Sequence, residues 1–187
     1  MTKPFLGDRR ASFEELFFAK QDAKVIAALR QAHERKAAIE GLARASNIED
    51  PELLERLVDL GIDARSWTAL SLVPLVEVAW ADGSIDAKER AAILTAASEH
   101  GLHRTAPGHV LLESFLRNRP DAKLFASWGG YMTELAAQLT AEERAEVCTQ
   151  IVERARKVAA SAGGILGIGA ISDAEKRVLA ALERPFA

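Results

Sequence analysis

Apolar residues recur at helical spacing along almost the whole of this chain, and nowhere do they keep the two-residue alternation of a strand for long. That property restricts the fold to one built from helices, and the local punctuation divides them. Ser12 with Glu15 three positions later is the signature of a helix start. Phe13, Leu16, Phe17, Val25, Ile26 and Leu29 follow at helical intervals, the pattern weakens through the charged stretch RQAHERKAAIEGLARA, and it ends near Asn47. Asp50 before Pro51, with Gly61 beyond, brackets a short helix. Asp63 caps a further apolar run in which Pro74 demands a kink, or a boundary near Leu72. Asp86 with Glu89, Thr140 with Glu143 and Ser172 with Glu175 repeat the capping signature, and Gly101 closes the helix that begins after Asp86. Two more helices flank Pro120 and Asp121, the second interrupted in pattern by Gly129 and Gly130. The expectation is about eight helices and no sheet: an N-terminal amphipathic helical arm, residues 1–45, and a helical domain, residues 46–187.

A chain of 187 residues, 49% hydrophobic and 27% charged, with 12 Gly and 6 Pro, can bury a core unaided and is not of disordered composition. The single Cys148 allows neither an internal disulfide nor a cysteine zinc site, and its helical setting reads as a small buried hydrophobe. The first residues become charged too soon for a signal peptide, and no stretch reaches the ~20 apolar residues that span a bilayer. The expected compartment is therefore the cytoplasm. A net charge of −3 gives no reason to expect nucleic acid, but the charge is uneven. Residues 1–45 carry nine basic and six acidic side chains, and residues 46–187 fifteen and twenty-one. The arm can dock on an acidic surface, its own core included.

A weak internal repeat runs through the domain. EVAWADG, residues 77–83, matches KVAASAG, residues 157–163, at an offset of eighty; SIDAKERAAIL then matches AISDAEKRVL at eighty-six. The difference is a six-residue insertion, Gly164 to Gly169. The identities are few. What argues against coincidence is the surviving Gly-x-Ile order and the cap with its glutamate that begins each second helix. Ile85 and Ile171 are expected in equivalent places.

The stretch VAWADGSIDAKERA, residues 78–91, is the part that looks like chemistry. A calcium loop of the EF-hand type needs oxygen ligands at its first, third, fifth, ninth and twelfth places and Gly at the sixth. With Gly83 sixth, Asp82, Asp86 and Glu89 fit, but Val78 and Trp80 occupy the first and third places. With Asp82 first, Ser84 and Asp86 fit, but Ala87 and Ile93 occupy the sixth and twelfth. Neither register is complete. Capping explains the same residues without a metal: Asp86 and Glu89 start a helix, Gly83 supplies a positive φ and Asp82 bonds within the turn. Three carboxylates around one turn nevertheless repel one another, and a weakly bound divalent cation such as calcium, joined by Glu77 from the preceding helix, would relieve them.

LVEVAWADGSIDAKERAAI resembles the hallmark of the tellurite-resistance protein B (TerB-like) family, a helix ending in Ala-x-Ala-Asp-Gly, then a hydrophobic residue, an acid and a Glu that opens the next helix. The segment LTAEERAEVCTQIVERARKVAASAGGILGIGAISDAEKRVLAAL looks like that family's second copy. The resemblance covers roughly residues 50–184. It implies a TerB-like all-helical bundle of pseudo-twofold character, a role in stress response, and divalent-cation binding at Asp82 and Asp86, extended to Glu77 and Glu89. It implies no second acidic site, because Ala162 and Ser172 stand where the first copy has Asp82 and Asp86. Residues 7–43 loosely resemble the start of small bacterial inhibitors of ATP synthase, through an Asp-Arg-x-x-x-Phe-Glu beginning and a long charged helix; that function is not carried over.

His100, His103 and His109 lie close in sequence, but Gly101 and Pro107–Gly108 turn the chain between them and no nearby carboxylate or Cys completes a zinc set. SAGGILGIGAIS lacks both the P-loop lysine and the dinucleotide glycine order, and reads as an apolar hairpin carrying Ile165, Leu166 and Ile168. No nucleophile and base are brought together by spacing. The function expected from the whole is a non-enzymatic cytoplasmic binding or scaffold protein, modulated by a divalent cation, with a protein partner and a homodimer through the arm. The alternatives are a metal-dependent enzyme at the Asp82–Asp86 turn, or a regulator acting through the N-terminal helix.

Overall fold

The computed structural model describes residues 5–99, 101–161 and 171–187, with side chains from residue 20 onward. These residues form eight α-helices and two short 3-10 turns, with no strand among them. The helices are α1 (Phe5–Ser46), α2 (Pro51–Asp59), α3 (Val73–Ala79), α4 (Ala87–Glu99), α5 (Pro107–Arg117), α6 (Ala122–Ala136), α7 (Ala141–Ser161) and α8 (Asp173–Glu183). No helix among the described residues is long and apolar enough to cross a membrane.

The capping chemistry read from the sequence sets most of these boundaries. Asp50 Oδ1 accepts from the backbone N–H groups of Glu52 and Leu53 at the start of α2. The 3-10 turn Trp67–Leu72 gives way to α3 at Val73, so Pro74 falls in the first turn of a helix, where its missing N–H leaves no bond unmade. Helix α1 ends at Ser46, and Asn47 takes a left-handed φ of 55°. α6 runs unbroken through Gly129 and Gly130; Gly130 lies close to Leu53, so the missing side chain is where α2 and α6 pack.

The core is one continuous cluster. Leu53, Leu57, Leu70, Leu72, Val76, Ile93, Leu112, Leu124, Trp128 and Leu182 are almost wholly withdrawn from solvent. α3 lies at its centre and touches α4, α6, α7 and α8; α7 packs on α3, α4 and α8. Ile85 and Ile171, which precede α4 and α8, are both half-buried against the cluster. Cys148 on α7 is half-buried rather than enclosed, and burial pushes its thiol above the usual range.

The arm departs from expectation in two ways. First, α1 is unbroken to Ser46, and its last turns belong to the core: Leu42 is fully buried, with Ile39 and Ala43 packed beside it. Arg35 fixes that end against α2, its Nε donating to Asp59 Oδ1 at 3.0 Å and an Nη to Glu55 Oε2 at 3.2 Å. Second, residues 20–34 are exposed throughout, and Val25, Ile26 and Leu29 stand 55%, 59% and 66% accessible. The helix does not lay these residues on its own core.

Candidate functional site

Helix α3 ends at Ala79, and the chain turns through Asp82, Gly83 and Ser84 before α4 begins. Gly83 has φ +102°, a region that side chains rarely enter, so glycine is required for this turn. Asp82 Oδ1 accepts from Ser84 N at 3.1 Å, an Asx turn that holds the loop closed. Asp86 Oδ1 accepts from Lys88 N at 2.7 Å and from Glu89 N at 2.8 Å. Glu89 Oε2 accepts in return from Asp86 N at 2.9 Å. The capping box expected at Asp86 and Glu89 is therefore formed, and it occupies one oxygen of each side chain.

The two partners sit in different surroundings. Asp82 and Asp86 are exposed, whereas Glu89 is only 4% accessible. Burial pushes the Glu89 carboxyl up to about 7; the bond from Asp86 N opposes this, and the charges of Asp86, Asp82 and Glu175 add to it. Glu175 comes from the start of α8, is itself 8% accessible, and occupies the same place in its own capping box, where its Oε2 accepts from Ser172 N at 2.6 Å. The helix starts of α4 and α8 thus bring two buried glutamates into electrostatic reach of one another. Each was legible in sequence as a cap; their mutual approach was not, because 86 positions separate them.

Glu77 stands on the preceding helix, α3. It is half-buried on α3, with burial raising its carboxyl and the charge of Arg119 lowering it. Among the described residues no three His, Cys, Asp or Glu side chains are grouped so as to hold a metal ion. Asp82, Asp86 and Glu89 are near neighbours whose oxygens first serve the backbone.

His100 and the Gly163–Gly169 loop, with Ile165, Leu166 and Ile168, lie outside the described residues. His103 and His109 both line an open groove between α4 and α5 of about 1010 Å³. A carboxylate that proximity in sequence to the His cluster did not suggest, Glu113, lies 3.7 Å from His109 Nε2, on the next turn of α5. Arg90, Arg104 and Arg117 line the same groove. No spacing rule finds this set, because its members come from two helices and the turn between them. The one available signal was the i, i+4 series His109, Glu113, Arg117 on α5.

No family model, curated protein or solved structure matches the chain.

Proposed function

We propose that the chain is a non-enzymatic binding or scaffold protein of TerB-like type, in which the exposed part of α1 pairs with a second copy of the protein. The carrying observation is the exposure of Val25, Ile26 and Leu29 on a helix whose other end is locked into the core. A helix of this kind is marginal alone in water, and covering such residues is what makes it persist. The mate is a second copy because the protein's own core, the alternative cover, does not reach these residues.

Two observations support the TerB-like, two-copy part of the reading. The helix pairs among α3, α4, α7 and α8 are unchanged if α3 is exchanged with α7 and α4 with α8: α3 meets α4 as α7 meets α8, α4 meets α7 as α8 meets α3, and α3 meets α7. The capping boxes Asp86–Glu89 and Ser172–Glu175 also correspond residue for residue. Stress response enters only through the family resemblance, and a cytoplasmic setting only through the sequence reading of the first residues and the apolar runs.

The crowding of Asp82, Asp86 and Glu175 around buried Glu89 favours a second, subsidiary reading: weak relief of this charge by a divalent cation such as calcium, joining transiently rather than residing. A metal-dependent enzyme at this turn has less support, since it needs open coordination positions that the capping bonds compete for.

Sedimentation of the full chain over a range of concentrations tests the favoured reading. The wild type is expected to dimerise, and Val25→Glu with Leu29→Glu to sediment as a monomer with unchanged helix content. A wild type that stays monomeric at every concentration contradicts it.

A further inference from the structure

The groove between α4 and α5 is independent of how α1 is covered. Its walls are two helices running past one another, and it is long in one direction. From Arg90 to Ser98 the α4 wall spans eight residues, about 12 Å of helix. His109, Val110, Glu113 and Arg117 form the facing wall at the same spacing. α5 is held away from α4 by its seat on the 3-10 turn Trp67–Leu72. Gly108 permits that seat: a Cβ there would come within 3.3 Å of Thr68 Oγ1 and 3.4 Å of the Ser66 carbonyl.

The charge along the groove is uneven in a useful way. At one end Arg90 and Arg117 both approach Glu113 Oε2, at 4.0 and 3.2 Å. At the other end, where α4 turns into α5, stand the exposed side chains of His103 and Arg104. Between them the lining is mixed: Ala91, half-buried Leu94 and the 62% exposed Val110 alternate with Thr95 and Ser98. Three guanidiniums share the groove with the single carboxylate of Glu113, in a chain whose net charge is −3. His109 lies buried in the wall, with its Nε2 3.7 Å from Glu113 Oε1.

We propose that this groove docks a short acidic segment of a partner protein, carrying carboxylates at both ends and apolar side chains between them. Guanidinium forks match carboxylates in paired hydrogen bonds, and two basic ends separated by about 12 Å of helix, with Leu94 and Val110 between them, select a segment over an isolated anion. The arm of a second copy does not fit, because residues 1–45 carry nine basic side chains against six acidic ones.

The probe is a labelled short helical peptide with glutamates at both ends and leucines in its middle, followed by fluorescence anisotropy against the full chain. A matched peptide with glutamines for glutamates is the control. The acidic peptide should bind saturably, and the glutamine peptide about tenfold more weakly. Arg90→Gln with Arg117→Gln should weaken the acidic peptide about as much, as should Arg104→Gln alone to a smaller extent. Val110→Glu, at an exposed position that leaves folding intact, should abolish binding, whereas Lys157→Gln on α7 should leave it unchanged. No saturable binding at millimolar peptide overturns the proposal. So does equal binding of the two peptides, or a loss with Lys157→Gln as large as with the arginine variants. Displacement of the peptide by an equal concentration of inorganic pyrophosphate assigns the groove to small anions and overturns it as well.

Discussion

Helices α4 and α7 begin with the same set of bonds. At α4 the Asp86 side chain accepts from Glu89 N and the Glu89 side chain accepts from Asp86 N. At α7 the Thr140 hydroxyl accepts from Glu143 N, and Glu143 Oε2 accepts from Thr140 N at 2.9 Å. The two glutamates nevertheless move in opposite directions. The bond from the Thr140 backbone holds the exposed Glu143 carboxyl below the usual range, and burial pushes the Glu89 carboxyl up to about 7. A capping hydrogen bond favours the charged form in both cases; what reverses the outcome at α4 is the loss of water around the carboxyl, with like charges beside it. α8 shows that the start does not need the extra acid: Ser172, a neutral hydroxyl, does for Glu175 what Asp86 does for Glu89. The α4 start carries more negative charge than beginning a helix requires.

The largest test of this contrast is the pH dependence of stability. Glu89 holds a proton in the folded state that the unfolded chain releases near 4.5, so stability falls as pH rises from about 4.5 to about 7, then levels off. The full shift is worth up to about 3 kcal/mol. Glu89→Gln keeps an acceptor for Asp86 N and should flatten that fall, leaving the variant the more stable protein at pH 8 in urea unfolding. A wild-type stability that rises steadily across this window breaks the comparison. Next in size is the cap itself. Asp86→Ala should cost about 1 kcal/mol, and Asp86→Ser only a few tenths, because serine caps as well as aspartate does. Equal losses from the two would mean that Asp86 acts through its charge and not its hydrogen bonds. Glu175→Gln should lower the Glu89 titration by less than Asp86→Ser does, Glu175 being the weakest of the three charges that raise it. The smallest effect belongs to Glu143→Gln: the stability that charged Glu143 supplies at neutral pH is lost as pH falls, so this variant should be slightly less stable than wild type at neutral pH and should converge with it on the acid limb of the curve.

What could be read from the sequence divides along a physical line. Caps and stops act within one turn of a helix, so Asp50, Asp86, Thr140, Ser172 and the positive-φ glycines could be placed from local rules alone. The end of α1 near Asn47 was legible for the same reason. Burial was not legible, because it depends on what arrives from elsewhere. Glu89 read as one of three acids around a turn; it is buried, and the charge of Glu175 from α8 reaches it. Leu42 lay in a segment read as arm and is fully buried, whereas Val25 and Leu29 of the same helix are exposed. The histidine cluster was tested for zinc by its own spacing, whereas its neighbours in space are the arginines of α4 and α5.

The most direct test is a carbon-13 titration of the side-chain carboxyls, with Glu89 assigned from its glutamine variant, on wild type and on Asp86→Ser. Excess charge at a buried helix start predicts a Glu89 midpoint near 7 in the wild type, lower in Asp86→Ser, with Glu143 below the ordinary range in both. A Glu89 midpoint at the ordinary 4.5 in the wild type, or one that does not move when Asp86 becomes serine, contradicts it.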